Sequence, residues 1–154
     1  MKPVLQALLL AERVYQDAIT RKKVIAGTFN TLQFSHKLGT PKEVEIDGVK
    51  RLTVPGGMDA GSPCAFVSLT EVRGKVACIL RYVDLQEDKP RLECKFEIHA
   101  TNPLQTVEVV IPMPKLPVDK AGIFALELLC DDEPIGSLRI TVVEIKETPN
   151  VNDD

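Results

Sequence analysis

The residue types that most often do chemistry are sparse in this sequence of 154 residues: two histidines, His36 and His99, and four cysteines, Cys64, Cys78, Cys94 and Cys130. No two cysteines have C-x-x-C spacing, so zinc sites of the knuckle type are absent. There is no G-x-S-x-G elbow, and Ser35 and His36 are chain neighbours, which does not build a nucleophile and its base. His99 ends a strand-like run beside Asn102-Pro103 and reads as a surface histidine; His36 starts a loop and reads the same way. A cysteine–histidine pair assembled in space stays open. Gly56-Gly57 follows a proline but lacks the Lys-Ser/Thr or helix that phosphate cradling requires, and reads as a bend. No catalytic residue and no cofactor are expected, and the chain reads as a non-enzyme.

Acidic loops offer one further chemistry. If consecutive strands run antiparallel, connections alternate between the two ends of the domain. The loops 35–63, 84–90 and 114–122 then share one end, with Asp47, Asp59, Asp84, Glu87, Asp88 and Asp119 in them. Oxygen-rich loops at one end of a sandwich are how some modules hold Ca²⁺. Asp84, Asp88 and Asp119 are the calcium candidates. The competing reading is that they solubilise turns, and Lys89, Lys115 and Lys120 interleave with them. The leading expectation is therefore no metal and no cofactor.

Composition bounds the partners. Net charge is −3, and the nearest thing to a basic stretch is Arg21-Lys22-Lys23, which reads as a turn. Aromatics make up 5%, with no Trp. A nucleic-acid surface is not expected from such a sequence. The apolar run Val4–Ala11 is as long as a minimal signal core, but Glu12-Arg13 follow it with no small-x-small pattern. No run approaches the length of a membrane span. Unpaired cysteines at inward strand positions suit a reducing compartment, and the expected location is cytoplasmic.

The elements that carry these residues are strands. Leu92, Cys94, Phe96 and Ile98 alternate with Glu93, Lys95 and Glu97, the pattern of a half-buried antiparallel strand. The same period appears in Val76, Cys78, Leu80 and Tyr82, in Val107, Val109, Ile111 and Met113, and in Phe124, Leu126, Leu128 and Cys130. Leu138, Ile140 and Val142 continue it, and a phase shift to Val143 and Ile145 predicts a bulge near Val142. Cys64–Val72 is strand-like with weaker alternation. Arg73-Gly74, Asp88-Lys89-Pro90, Thr101-Asn102-Pro103 and Asp131–Pro134 are turn signals, the first read as a tight hairpin. Pro112, Pro114 and Pro117 end a strand at a sheet edge. Residues 3–18 are good helix formers by propensity. Asp17–Lys22 reads as a hairpin turn, however, and the β-branched stretch Lys23–Phe34 follows, which favours a first strand. The fold class is all-β: an antiparallel β-sandwich of about eight strands in one domain, residues 1–146, with a flexible acidic tail at 147–154.

Two stretches carry a resemblance. Gln6–Tyr15 (QALLLAERVY) with Val24–Asn30 (VIAGTFN), and Gly122–Val142 (GIFALELLCDDEPIGSLRITV), together resemble a family of small bacterial proteins known only as a domain of unknown function. The similarity runs from Gln6 to about Val142. It implies a β-sandwich, which supports the strand at the N-terminus, and brings no activity, cofactor or catalytic residue with it.

An accessory hairpin, residues 42–54, lies outside that pattern. Asp47-Gly48 is a strong hairpin turn signal, and Val44, Ile46, Leu52 and Val54 could form one apolar face between charged neighbours. A two-stranded hairpin is marginal alone, so that face must lie against its own sandwich, a second copy or a partner. The expected function is a non-enzymatic protein-interaction or structural module, through a protein partner or self-association, without nucleic acid or membrane. The alternative is a ligand- or calcium-binding sandwich.

Overall fold

A computed structural model describes residues 2–34, 42–46, 48–53 and 62–145, the two short middle stretches by their backbone alone. Every regular element is a strand: β1 (Val4–Gln16), β2 (Lys23–Thr28), β3 (Thr31–Phe34), β4 (Lys42–Ile46), β5 (Val49–Thr53), β6 (Cys64–Thr70), β7 (Gly74–Asp84), β8 (Lys89–Ala100), β9 (Val107–Pro112), β10 (Gly122–Cys130) and β11 (Glu133–Glu144). Nine of them form two sheets, in the orders β2-β1-β6-β9 and β3-β11-β10-β7-β8, while β4 and β5 form a ribbon of their own. All pairings are antiparallel except β3 beside β11.

Period-two patterning decides which side chains meet between the sheets. Val76, Cys78, Leu80 and Tyr82 on β7, and Phe124, Leu126, Leu128 and Cys130 on β10, are all buried in one core. Leu8 and Leu10 of β1 with Ala65, Val67 and Leu69 of β6 face them from the other sheet. A helix over residues 3–18 would scatter Leu8 and Leu10, two residues apart, around its circumference; a strand sets both inward. Tertiary burial thus overrides the helix propensity of this segment. The turn after β1 is built by Asp17, whose Oδ1 accepts the N–H groups of Ile19 and Thr20, both at 2.8 Å. Those bonds hold its carboxyl below the usual range.

Several expectations from the sequence are corrected. Among the described residues the two sheets hold nine strands against about eight expected, because Lys23–Phe34 is two elements rather than one run. The chain breaks at Phe29-Asn30, where Phe29 N–H bonds Leu10 and Thr141 N–H bonds Asn30, so β3 crosses to the second sheet. Arg73-Gly74 is no hairpin: β6 and β7 lie in different sheets, and Glu71–Arg73 carries the chain between them. Pro90 sits inside β8 opposite Val83, beside a register shift, which an edge strand tolerates. The bulge of β11 lies near Ile135, where Leu128 faces Gly136 and Leu129 faces Pro134; the register runs unbroken at Val142. Val143 simply points outward, at 42% exposure. Cys94 is half-buried instead of buried, because β8 is an edge strand.

The β10–β11 turn uses Asp131 and Asp132 at φ 48° and 65°, the left-handed pair that a two-residue hairpin requires. At the end of the ribbon Ile46 faces Val49 across Asp47-Gly48, with Gly48 at φ 76°.

Candidate functional site

At one end of the sandwich the turn after β7 meets the segment leading into β10. Leu85 N–H donates to the Ile123 carbonyl at 3.1 Å, so loops 84–90 and 114–122 do share an end. Asp84 is wholly buried there. Its Oδ1 accepts N–H from Gln86 at 2.9 Å and from Glu87 at 3.3 Å. Its Oδ2 accepts from the Lys120 ammonium 2.5 Å away in a charge-assisted contact. Lys120 also reaches Glu87 at 3.0 Å. Beside them Arg91 holds Asp119 at 2.7 Å. The Lys120 contact keeps the Asp84 carboxyl below its ordinary range in spite of burial, and Arg91 does the same for Asp119. Lys120 and Arg91 are raised in turn by those carboxylates. Below the pair, Tyr82 stacks on Phe124 with ring centroids 5.1 Å apart and donates its hydroxyl to the Pro117 carbonyl at 3.3 Å.

The calcium candidates are therefore placed as follows. Asp84 and Asp119 share the loop end, each engaged by a cationic side chain, while Asp88 stands exposed in the turn at φ 53°. Among the described residues no group of three or more His, Cys, Asp or Glu could hold a metal ion. Asp47, Asp59, His36 and Gly56-Gly57 lie outside the described residues. His99 is exposed, opposite Lys75 on β7.

The ribbon departs from the expected single apolar face. Val44 pairs with Arg51 and Ile46 with Val49, whereas Leu52 pairs with Glu43. Directly paired residues share a side of a ribbon, so Leu52 is in the alternate register from Val44 and Ile46. Val54 lies outside the described residues.

Sequence reasoning missed two arrangements. One is the edge that the described residues leave open beside β8. β8 is an edge strand twelve residues long, and its inward Leu92, Cys94 and Phe96 are only half-buried. The other is the meeting of Cys78 with Cys130, sulfur to sulfur at 3.5 Å across β7 and β10. The alternation of each strand was a visible signal, but the register that aligns them was not.

This fold defines an all-β sandwich of two mostly antiparallel sheets. The chain belongs to a family of unknown function, DUF6941, whose model matches residues 59–143. That span holds β6 to β11; the N-terminal motif that carried half of the resemblance, and the ribbon, fall outside it. No curated protein matches the chain. No helix among the described residues is long and apolar enough to cross a membrane.

Proposed function

We propose that this chain is a non-enzymatic interaction module that self-associates through the free edge of β8. The observation that supports this is the order of charges along that edge. In β7 the odd residues bond β10, since Asp131 N–H reaches the Ala77 carbonyl and Leu85 N–H the Ile123 carbonyl. The even residues of β7 therefore bond β8, and their partners there are Leu92, Cys94, Phe96 and Ile98. The backbone groups left facing outward are those of Glu93, Lys95, Glu97 and His99.

A second β8 laid antiparallel about a two-fold axis at Phe96 meets these groups in register. Lys95 faces Glu97 of the other copy and Glu97 faces Lys95, while Glu93 and His99 face one another. Each is a hydrogen-bonded pair of the ladder, and each sets opposite charge, or acid against histidine, across the seam. On the inward side Phe96 meets Phe96, and the half-buried row gains cover. Edge charges ordinarily keep strands apart. Here their sequence is self-complementary, as an isologous interface requires. Arg81 already holds Glu93 at 2.9 Å within its own sheet, so Lys95 and Glu97 carry the match. The location that suits this reading is the cytoplasm, where half-buried Cys94 beside the seam stays reduced.

The test is mass in solution by light scattering across concentration. The chain should form a dimer. Lys95→Glu sets Glu against Glu97 twice and should give monomers, while Lys95→Glu with Glu97→Lys should restore the dimer. A monomeric wild type at high concentration, or a dimer indifferent to Lys95→Glu, overturns the proposal.

A further inference from the structure

Cys78 and Cys130 stand directly opposite each other on β7 and β10, with their sulfurs 3.5 Å apart. Ala77 and Asp131 on one side of them form a hydrogen-bonded pair, and the ladder keeps that parity as far as Leu85 and Ile123. The cysteines therefore occupy a non-hydrogen-bonded position, where opposed Cα atoms approach to about 4.5 Å and side chains lie closest. That separation lies within the range a disulfide spans, about 4.4–6.8 Å, so the pair can be bridged without moving the backbone.

We propose that Cys78 and Cys130 are a reversible dithiol–disulfide pair, a modification site oxidised by hydroperoxides within the folded chain. Access comes from the Cys130 side. Cys130 lines a cleft of about 400 Å³ with Lys2, Arg73, Glu71, Asp131 and Glu133 around it. Both thiols are buried, Cys78 at 1% and Cys130 at 2% exposure, and of the two Cys130 alone lines that cleft. The roles follow from this asymmetry. The Cys78 thiol has two acceptors, the Val76 carbonyl at 3.9 Å and the Cys130 sulfur. Either thiol can donate across the sulfur–sulfur contact, and that contact lowers the Cys130 thiol and raises that of Cys78.

The chemistry balances with one hydroperoxide. The Cys130 sulfur attacks the O–O bond, forming a sulfenic acid and releasing an alcohol, or water when the oxidant is hydrogen peroxide. The Cys78 sulfur then attacks the Cys130 sulfur. The S–O bond breaks, the S–S bond forms, and the departing hydroxide takes the Cys78 proton as water. Two thiols are oxidised and one O–O bond is reduced. Cys64 and Cys94 are the internal controls, since each is half-buried with no described cysteine opposite it: Cys64 faces Ala11 and Pro112, and Cys94 faces Leu80.

The experiment treats the folded, reduced chain with hydrogen peroxide, alkylates the remaining thiols and measures intact mass and tryptic peptides. The expected result is loss of two hydrogens and of two alkylation sites, with one bond joining peptides 76–81 and 121–139. A thiol reductant should undo it. The bond should form about tenfold or more slower in denaturant, where the register no longer holds the sulfurs together. Cys64→Ser with Cys94→Ser should leave it intact, and Cys78→Ala should leave a Cys130 sulfenic acid that dimedone traps. Four alkylatable thiols after treatment, a bond through Cys64 or Cys94, or equal rates in native and denaturing buffer would each overturn the proposal.

Discussion

Replacing Tyr82 separates packing from hydrogen bonding at the loop end. The ring is fully buried, stacked on Phe124 at 5.1 Å, and its hydroxyl bonds the Pro117 carbonyl at a long 3.3 Å. Tyr82→Phe keeps the ring and removes one bond. Because Pro117 is only half-buried, its carbonyl regains water, and the cost should fall near the low end for a neutral hydrogen bond, about 0.5–1 kcal/mol. Tyr82→Ala removes the whole ring from a core that contains Leu80, Leu126 and Phe124, and should cost about 3–5 kcal/mol. Urea unfolding followed by circular dichroism reads both, with the midpoint moving and the slope constant. In heat the difference appears as a drop in Tm of about 2–4 °C per kcal/mol for a chain of this size. A loss above about 2 kcal/mol for Tyr82→Phe would mean that the hydroxyl pins the 113–122 segment, against the packing argument. A loss below about 1.5 kcal/mol for Tyr82→Ala would mean that the ring is not part of the core.

Other consequences are as direct. The Lys120 contact holds the Asp84 carboxyl below its ordinary range, so its contribution to stability is present above the unfolded pKa and disappears as pH falls through the folded one. Lys120→Met leaves that carboxylate buried without its cation; its stability deficit, followed by urea titration, should be largest near about pH 7 and shrink towards about pH 3. A deficit independent of pH would refute the ion pair. A Cβ at Gly136 would stand 2.5 Å from Leu5 Cδ2, the end of a half-buried side chain that can turn aside, so Gly136→Ala should cost less than about 1 kcal/mol, with coupling to Leu5→Ala in a double-mutant cycle. Cys94→Ser, on the half-buried edge strand, should cost less than about 1 kcal/mol, since the hydroxyl can reach water.

What could be read from the sequence was periodic, and what could not was register. Leu80, Tyr82, Leu126 and Leu128 declare their inward face by spacing alone, because a strand alternates strictly. The shared end of the loops at Asp84 and Asp119 followed from counting antiparallel strands. Lys120 counted only as a residue that weakened a cation site; its role as the partner of Asp84 depends on how β7 and β10 align. The same alignment brings Cys78 to Cys130, 52 residues apart in sequence. The pairing of β4 with β5 was legible from the turn signal between them, and Gly48 takes the positive φ expected there. Arg73-Gly74 misled for the same reason, since a turn dipeptide reports a local bend and not which sheet the next strand joins. The bulge was misplaced because Val143 looks inward by composition, while the register sets it on the solvent side. Edge strands are also invisible to periodicity: Leu92, Cys94 and Phe96 alternate as cleanly as any core row, yet are only half-covered.

Amide hydrogen exchange along β8, at low and high protein concentration, tests the self-association reading most directly. The N–H groups of Glu93, Lys95, Glu97 and His99 face outward and should exchange fast in dilute chain. At high concentration those four should become protected together, while Leu92, Cys94, Phe96 and Ile98, bonded to β7, stay slow throughout. Protection of the four that does not change with concentration, or a concentration-dependent change confined to another strand, would contradict the β8 edge as the surface this protein uses.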